Sequence, residues 1–588
     1  MIRRLLVALL WGASTLAAAA PADAPAQLQA LFERYWEQTA RDAPEWATWR
    51  GDARYDDRLS DDTPASRDTQ DAQQRAWLAE ARAIDPAALG PVDRVSRALF
   101  IHGRAEEVAL QAYPGWRTMR LAADGGLHTE LPELLQIMPV ETEAQLHKLL
   151  ARLAAMPARI DQEQAWLRQG IALGWVASRP VVQSALAQLD EQLQTPAAQS
   201  PWLEPLRRLG PDIPASSRQA AVREAEALLQ QQLQPALRRL RDFVAGPYLA
   251  AAPAHGALVG YPDGLQVYAL LIAEHTTLPL SAQALHDTGL REVARLRTAI
   301  EATAAEAGFA GRLAEWQAHL HDDPRYQMPS GEALLAAYRD IAKRIDAELP
   351  RLFVTLPRTP YGVRAMPDYY GPDKAEFYEP PALDGSRPGW FNANALGYHR
   401  QRSWSMESLV AHEAVPGHHL QVARATELDG LPAFRRDLGF TAYVEGWALY
   451  AETMGLELGL YRDPANRYGY LQMQIFRAAR LVVDTGLHAY GWSRDRAIDY
   501  LEQTTGLSRA HCAAEVDRYT SSPGQALAYM TGQLKILELR QRAQAQLGER
   551  FDLRRFHNAV LDQGALPLPV LEAEIDAWIA AEAARPLR

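Results

Sequence analysis

The chain has 588 residues, of which 48% are hydrophobic and 23% are charged, and its formal net charge at pH 7 is −11. This composition is typical of a globular protein and excludes a disordered one, and the length exceeds what a single hydrophobic core supports. Because the acidic chain contains no run of Lys or Arg, we expect no nucleic-acid partner.

The N-terminus has the organisation of a secretory signal peptide. Arg3 and Arg4 supply its positive charge, residues 5–16 are mainly apolar, and the alanines at 17–20 suit cleavage. A membrane anchor is the alternative, but the apolar stretch is shorter than a membrane span requires. We therefore predict a signal peptide over residues 1–22, a periplasmic or secreted protein, and no membrane span in the mature chain. No cysteine follows the alanines, so we expect no lipid attachment there.

Helical periodicity dominates the rest of the chain. Apolar residues recur at helical spacing over 26–41, 141–171, 215–244 and 281–307, and Ser281 is a plausible cap for the last of these. Pro, Gly and Tyr then crowd residues 360–381, where strand-like pieces occur at 353–356 and 376–379. We predict a mostly α fold with a small β-sheet, a helical N-terminal subdomain over 23–350 and a catalytic subdomain over 351–588.

The most informative motif is His-Glu-Ala-Val-Pro-Gly-His-His at residues 412–419. Zinc peptidases usually carry His-Glu-x-x-His on a helix, but here Pro416 stands where the second histidine should be. Proline cannot continue a helix and Gly417 permits unusual backbone angles, so we interpret the pair as a two-residue bulge. Looping out the bulge moves His418 into the position of the second metal ligand and leaves His419 as a supporting neighbour. His419 as the ligand, or a purely structural histidine cluster, are the alternatives.

A third metal ligand is predicted on a later helical segment. Glu445 lies among apolar residues, and a buried carboxylate needs a cation or hydrogen-bond donors, so we assign it with His412 and His418 as a ligand. Glu452 lies two helical turns further on and is either the alternative ligand or a residue that orients a ligand histidine. Three such ligands with an open position suit Zn²⁺, and Glu413 would act as general base towards the metal-activated water.

Other polar residues are candidates for the same site. An oxyanion formed during hydrolysis needs a donor, for which the candidates are Tyr519, Tyr529 and His488. All three could equally be structural residues of the core. Asn392 and Asn394 could bind a peptide backbone or close a turn. Arg518 could bind a substrate carboxylate bidentately, or it could pair with Glu515 or Asp517.

Four stretches together carry a family resemblance: His-Glu-Ala-Val-Pro-Gly-His-His-Leu-Gln at 412–421, Glu-Gly-Trp-Ala-Leu-Tyr-Ala-Glu at 445–452, Val-Asp-Thr-Gly-Leu-His at 483–488 and Arg-Tyr-Thr-Ser-Ser-Pro-Gly-Gln-Ala-Leu-Ala-Tyr at 518–529. In them the chain resembles a large bacterial family catalogued as domain of unknown function 885, which is grouped with the gluzincin zinc metallopeptidases. The resemblance implies a large helical, metallopeptidase-like fold with a small β-sheet beside the active-site helix. It also implies a general likeness to oligopeptidases, carboxypeptidase Taq and angiotensin-converting enzyme.

These residues predict a secreted zinc peptidase that hydrolyses the peptide bonds of short peptides, with Glu413 as general base. One alternative is a non-catalytic protein that binds a peptide or a metal, although such a protein has little need for a base beside a metal ligand. A zinc hydrolase acting on a non-peptide amide or ester would use the same residues and is the second alternative.

Overall fold

A computed structural model describes residues 23–123, 125–367, 371 and 374–585 of the chain. The predicted signal peptide at 1–22 therefore lies outside the described residues. Among the described residues, no helix is both long enough and apolar enough to cross a membrane.

Helices account for most of the chain up to residue 348. They are α1 (Ala24–Asp42), α2 (Pro44–Trp49), α3 (Pro64–Ala83), α4 (Pro91–Leu110), α5 (Leu127–Ile137), α6 (Glu143–Leu173), α7 (Arg179–Gln194), α8 (Ala215–Leu228), α9 (Gln234–Phe243), α10 (Leu249–Ala251), α11 (Gly264–Thr276), α12 (Ala282–Glu306), α13 (Leu313–Asp322) and α14 (Gly331–Glu348). Ser281 caps α12, as its sequence position predicts, because its hydroxyl oxygen accepts a hydrogen bond from the backbone N–H of Ala284 at 3.2 Å.

A three-stranded sheet follows the first helices. Its strands are β1 (Tyr361–Ala365), β2 (Phe377–Glu379) and β3 (Gly389–Ala393), in the spatial order β1-β3-β2. β1 runs parallel to β3 with Tyr361 opposite Gly389, and β2 runs antiparallel to β3 with Phe377 opposite Asn392. The strand predicted at 376–379 is thus present. The one predicted at 353–356 is wrong, because the N–H groups of Val354 and Thr355 bind the Asn558 side chain instead of a neighbouring strand.

The C-terminal part is again helical, with α15 (Ser403–Glu413), α16 (His418–Thr426), α17 (Ala433–Asp437), α18 (Thr441–Leu458), α19 (Pro464–His488), α20 (Arg494–Thr505), α21 (Arg509–Ser521), α22 (Ala528–Leu547), α23 (Leu553–Leu561) and α24 (Leu568–Ala583). α15 packs against α14, α18 and α19, and β3 contacts α16. The prediction of a mostly α fold with a small sheet beside the motif helix is therefore confirmed.

One hydrophobic cluster draws on residues from both sides of the predicted subdomain boundary at 350. It includes Val293 and Ile300 of α12 together with Leu481 and Val482 of α19, and these two helices pack along each other. The two halves thus share part of their core, and the boundary itself stays a prediction.

Candidate metal centre

The motif at 412–419 lies where one helix ends and another begins. α15 ends at Glu413, and α16 starts at His418, so the chain makes a turn instead of the predicted bulge within one helix. The turn is held by two hydrogen bonds: His419 N–H donates to the carbonyl of Ala414 at 3.0 Å, and Trp447 Nε1–H donates to the carbonyl of Pro416 at 2.9 Å. The result brings the ring of His418 against that of His412, with 4.8 Å between their centroids.

Gly417 is required by the tightness of this turn. A Cβ atom at this position would lie 2.0 Å from the carbonyl oxygen of His412 and 2.4 Å from that of Ala411. Both neighbours are backbone atoms, which cannot rotate away as a side chain would. Any larger residue would therefore push the two histidines apart.

Three side chains converge at this point in a group that could hold a metal ion. One ligand atom each from His412, His418 and Glu445 lies within 4.8 Å of the other two. Glu445 Oε2 is 3.6 Å from His412 Nε2 and 3.4 Å from His418 Nε2. Bonds of about 2.0–2.1 Å in a tetrahedral zinc site place ligand atoms about 3.3 Å apart, so these spacings suit such an ion.

The carboxylate oxygen at the centre of the group provides an independent test of that fit. Glu445 Oε2 is buried, and it accepts no hydrogen bond from any described residue. A buried carboxylate oxygen without a partner is costly, and a cation between it and the two imidazoles would satisfy it. The donor set therefore fits a divalent metal ion.

The charges of the group are balanced by protons when no ion is bound. Burial lowers the pKa of His412, but contacts with Glu445 and Glu452 outweigh it and raise this pKa to about 9. Burial alone would raise the pKa of Glu445, but the neighbouring His418 and His412 hold this pKa well below its ordinary value. A metal ion would displace the proton of His412, so we expect metal binding to release protons.

Glu452 lies on the other side of His412 and is completely buried. One of its oxygens is 2.9 Å from His412 Nδ1, and the other accepts hydrogen bonds from Ser408 Oγ at 2.9 Å and Gln474 Nε2 at 3.2 Å. Since a carboxylate only accepts, His412 Nδ1 carries a proton directed at Glu452, and its Nε2 faces Glu445, where it can bind a metal ion once it has lost its own proton. Of the two roles that the sequence left open, this geometry supports the orienting one.

Glu413 lies in the cleft beside the three converging residues and is 8% exposed. Burial raises its pKa, and the imidazoles of His412 and His418 oppose that rise. A carboxylate with a raised pKa is better matched to accept and return a proton near neutral pH.

The backbone contact between α18 and α22 sets the distance across the site. A Cβ at Gly446 would lie 2.5 Å from the Cα of Gly532, and one at Gly532 would lie 1.8 Å from the carbonyl oxygen of Ala442. The two helices therefore touch through their backbones. This contact holds Glu445 on α18 close to Tyr529 near the start of α22.

Of the three oxyanion-donor candidates, the structure places one in the cleft. The ring of Tyr529 lies nearly parallel to that of His412 at 6.4 Å, and its hydroxyl accepts a hydrogen bond from Gln525. Tyr519 does not line the cleft, since its hydroxyl accepts from Arg480 at 3.0 Å. His488 is also outside it, because its Nδ1 accepts from the N–H of Leu258 and its Nε2 lies 3.0 Å from the carbonyl of Tyr519. These contacts are structural.

The other site candidates also have structural contacts. His419 Nε2 donates to the carbonyl of Thr359 and its Nδ1 accepts from Tyr378, each at 3.1 Å, so neither nitrogen points to the metal group. Asn392 accepts from Arg364 within the sheet. Asn394 borders the cleft, but its side chain closes a loop through the backbone of Gly371, Lys374 and Gly397. Arg518 lines the cleft and is bound to Glu515 and Gln525.

Comparison with known proteins gives the family. The sequence model of the family described as "Bacterial protein of unknown function (DUF885)" matches residues 44–575. The chain belongs to the DUF885 family. The predicted family resemblance is thereby confirmed. None of the curated proteins compared with this DUF885 chain matches it significantly.

Two solved structures are similar to the DUF885 chain along nearly its whole length. A candidate lipoprotein from Colwellia psychrerythraea has 27% sequence identity and a TM-score of 0.89, with 95% of this chain and 100% of that chain covered. A candidate lipoprotein of unknown function from Shewanella oneidensis has 17% identity and a TM-score of 0.71, with 94% and 99% covered. At 17% identity, the likeness to the Shewanella oneidensis structure shows that the two proteins share a fold.

Sequence reasoning missed several residues around the cleft of this DUF885 protein. The ring of Tyr378 stacks on that of His418 at 6.2 Å, and burial raises the pKa of Glu376 to about 7. Arg477 and Arg480 on α19 also line the cleft. Two arginines at helical spacing within the otherwise apolar stretch 475–483 were the signal for the last two, because a buried face rarely carries charge without a purpose.

We expect Glu452→Gln to weaken the binding of a divalent metal ion at this group by about 10- to 100-fold, the usual effect of removing a carboxylate that orients a ligand histidine. The amide keeps the size of the side chain, but it no longer favours the proton on His412 Nδ1. Competition against a chelator of known affinity measures the change. Glu457→Gln on the same helix, whose carboxylate pairs with Arg540, is the matched control. Equal affinities for Glu452→Gln and the unmodified protein would contradict the orienting role.

Proposed function

We propose that this protein is a zinc-dependent peptidase that acts outside the cytoplasm. The observation that carries the proposal is the buried oxygen of Glu445, which lacks a hydrogen-bond partner among the described residues and faces the Nε2 atoms of His412 and His418. His412, His418 and Glu445 would hold the zinc ion. When bound, zinc polarises a scissile carbonyl and lowers the pKa of a water molecule.

The protein's own residues would carry the proton transfers. Glu413 follows His412 directly, so its carboxylate would take the proton of the attacking water and pass it to the leaving amine. Burial raises the pKa of Tyr529, so its hydroxyl keeps its proton at neutral pH. That hydroxyl would donate a hydrogen bond to the oxyanion of the substrate.

The shape of the cleft favours a peptide substrate. Its volume is about 2250 Å³, above the roughly 300–1000 Å³ of typical small-molecule pockets. The outer strand β2 lines it through Phe377 and Tyr378, and Glu376, just before the strand, lines it as well. An extended peptide commonly binds beside an outer strand of a sheet.

The proposed location rests on two observations. The sequence predicts a signal peptide at 1–22, and the similar chains from Colwellia psychrerythraea and Shewanella oneidensis are described as candidate lipoproteins, a class of exported proteins. Both favour the periplasm or the exterior of the cell.

We expect the purified protein to carry about one zinc ion per chain and to cleave a pool of mixed-sequence tetrapeptides, as a three-ligand site with an open position requires. Elemental analysis measures the zinc, and mass spectrometry measures the products. 1,10-Phenanthroline should abolish cleavage and added Zn²⁺ should restore it. The non-chelating 1,7 isomer is the matched control. Cleavage that persists in fully zinc-depleted protein would contradict the proposal.

A further inference from the structure

A second unpaired charge lies in the same cleft. Arg477 on α19 is 5% exposed, and its only hydrogen bond to a described residue runs from Nη1 to the sulfur of Met473 at 3.3 Å. Its Nε is buried without a hydrogen-bond partner, and no carboxylate among the described residues is bonded to it. Its charge reaches as far as Glu413, whose pKa it lowers without a direct bond. A buried guanidinium without an anion is costly, so such an arrangement points to an anionic ligand.

The neighbouring arginines differ from Arg477 in this respect. Arg480 and Arg518 share the carboxylate of Glu515, at 2.9 and 3.0 Å. Burial disfavours the ionised form of Glu515, but the charges of these arginines hold its pKa well below its ordinary value. This wall of the cleft therefore has three guanidinium groups and a single carboxylate between them, and Arg477 is the one left over.

The position of Arg477 relative to the metal group sets what the anion can be. Its guanidinium carbon lies 5.9 Å from the centre of the Tyr529 ring, which in turn lies 6.4 Å from the ring of His412. Together these two distances set an upper limit on the separation of Arg477 from the metal group. An extended chain advances roughly 3.3 Å per residue, so no more than about three residues span it. A guanidinium binds a carboxylate through two parallel hydrogen bonds.

We infer that Arg477 binds the free C-terminal carboxylate of a short peptide, so that the enzyme releases about one to three residues from the C-terminus. The inference rests on the proposed peptidase function. Arg518, whose guanidinium is already bound to Glu515 and Gln525, is not needed for this role.

The test compares tetrapeptides of mixed sequence made once as free acids and once as C-terminal amides. The unmodified enzyme should favour the acids by about 10- to 100-fold in kcat/KM, the range for a hydrogen bond to a charged group. Arg477→Met keeps the apolar stem. It should lose that preference mainly through a higher KM for the acids, while its hydrolysis of the amides continues and so proves that it is folded. Arg477→Lys should fall between the two.

Arg518→Met is the matched control, and its ratio of acid to amide hydrolysis should stay that of the unmodified enzyme. Equal hydrolysis of acids and amides by the unmodified enzyme would overturn the inference, as would an equal fall of both rates in Arg477→Met. A preference for amides with a glutamate near their C-terminus would overturn it as well, since Arg477 would then bind a side chain.

Failure of the proposed function gives a different result. If the zinc-loaded protein cleaves neither pool, calorimetric titration with N-acetyl-trialanine and its amide decides the matter by binding alone. Tighter binding of the acid that Arg477→Met abolishes would support the carboxylate site. Equal binding of acid and amide would overturn it.

Discussion

Glu413→Gln should retain its zinc and its fold yet lose about 100- to 10,000-fold in peptidase activity, the usual contribution of a general base. The amide has the same size as the carboxylate, and Glu413 is not one of the three converging ligands, so the variant keeps the packing and all three ligands. What the amide cannot do is accept a proton from water. Single-turnover hydrolysis of the tetrapeptide pool measures the loss, with elemental analysis for zinc and a thermal melt for the fold.

Glu376→Gln is the matched control for this experiment. Glu376 is a second buried carboxyl of the same cleft, with its pKa raised to about 7 by burial, but it is bound to Tyr338 and Gln401. We expect its substitution to cost less than about 10-fold, because bound in this way it is not placed to take a proton from water. Undiminished hydrolysis by Glu413→Gln would refute the mechanism. A loss of activity in Glu376→Gln alone would indicate that Glu376 is the general base instead.

The second large effect concerns the choice between two adjacent histidines. His418→Ala should weaken zinc binding by more than about 100-fold. Loss of a residue that only orients a ligand costs up to about that much, and His418 is proposed as a direct ligand. His418 Nε2 lies 3.4 Å from Glu445 Oε2, whereas both nitrogens of His419 are used by Thr359 and Tyr378. His419→Ala should therefore keep most of its zinc.

The two variants control for each other, since they remove the same side chain from neighbouring positions. Zinc affinity by chelator competition and content after dialysis are the measurements. Loss of zinc from His419→Ala with retention in His418→Ala would show that the ligands are assigned in the wrong order. Loss from both would indicate that the start of α16 has moved.

The sequence predicts those parts of the site whose backbone conformation depends on one or two neighbouring residues. An interior proline removes a backbone hydrogen bond and kinks or breaks a helix, so Pro416 with Gly417 predicts that the motif departs from a regular helix and that His418 approaches His412. The structure departs from a regular helix in another way than the predicted bulge, because two separate helices meet at a turn. That turn depends on Trp447 and on the close approach of Gly417 to the carbonyl of His412, which are contacts that local rules do not contain.

Residues whose role depends on a distant partner could not be assigned from the sequence. The sequence offered Glu515, three residues away, as a partner of Arg518, but nothing in it indicates that Arg480 shares this carboxylate or that Arg477 is bonded to none. The same is true of His488, whose two nitrogens are used by backbone groups of Leu258 and Tyr519. Helical periodicity is repeated many times along the chain and so is reliable, whereas a single hydrogen bond between remote segments leaves no pattern.

The contact between Gly446 and Gly532 has a consequence for how the site tolerates variation. Two backbones in direct contact have no rotamers to adjust, so the spacing of Glu445 and Tyr529 is set when the protein folds, before metal or substrate arrives. A methyl group at either glycine would separate α18 from α22 and would shift one side of the cleft relative to the other. Inherited changes at this helix crossing, although outside the cleft lining, would therefore alter the position of Glu445 relative to Tyr529.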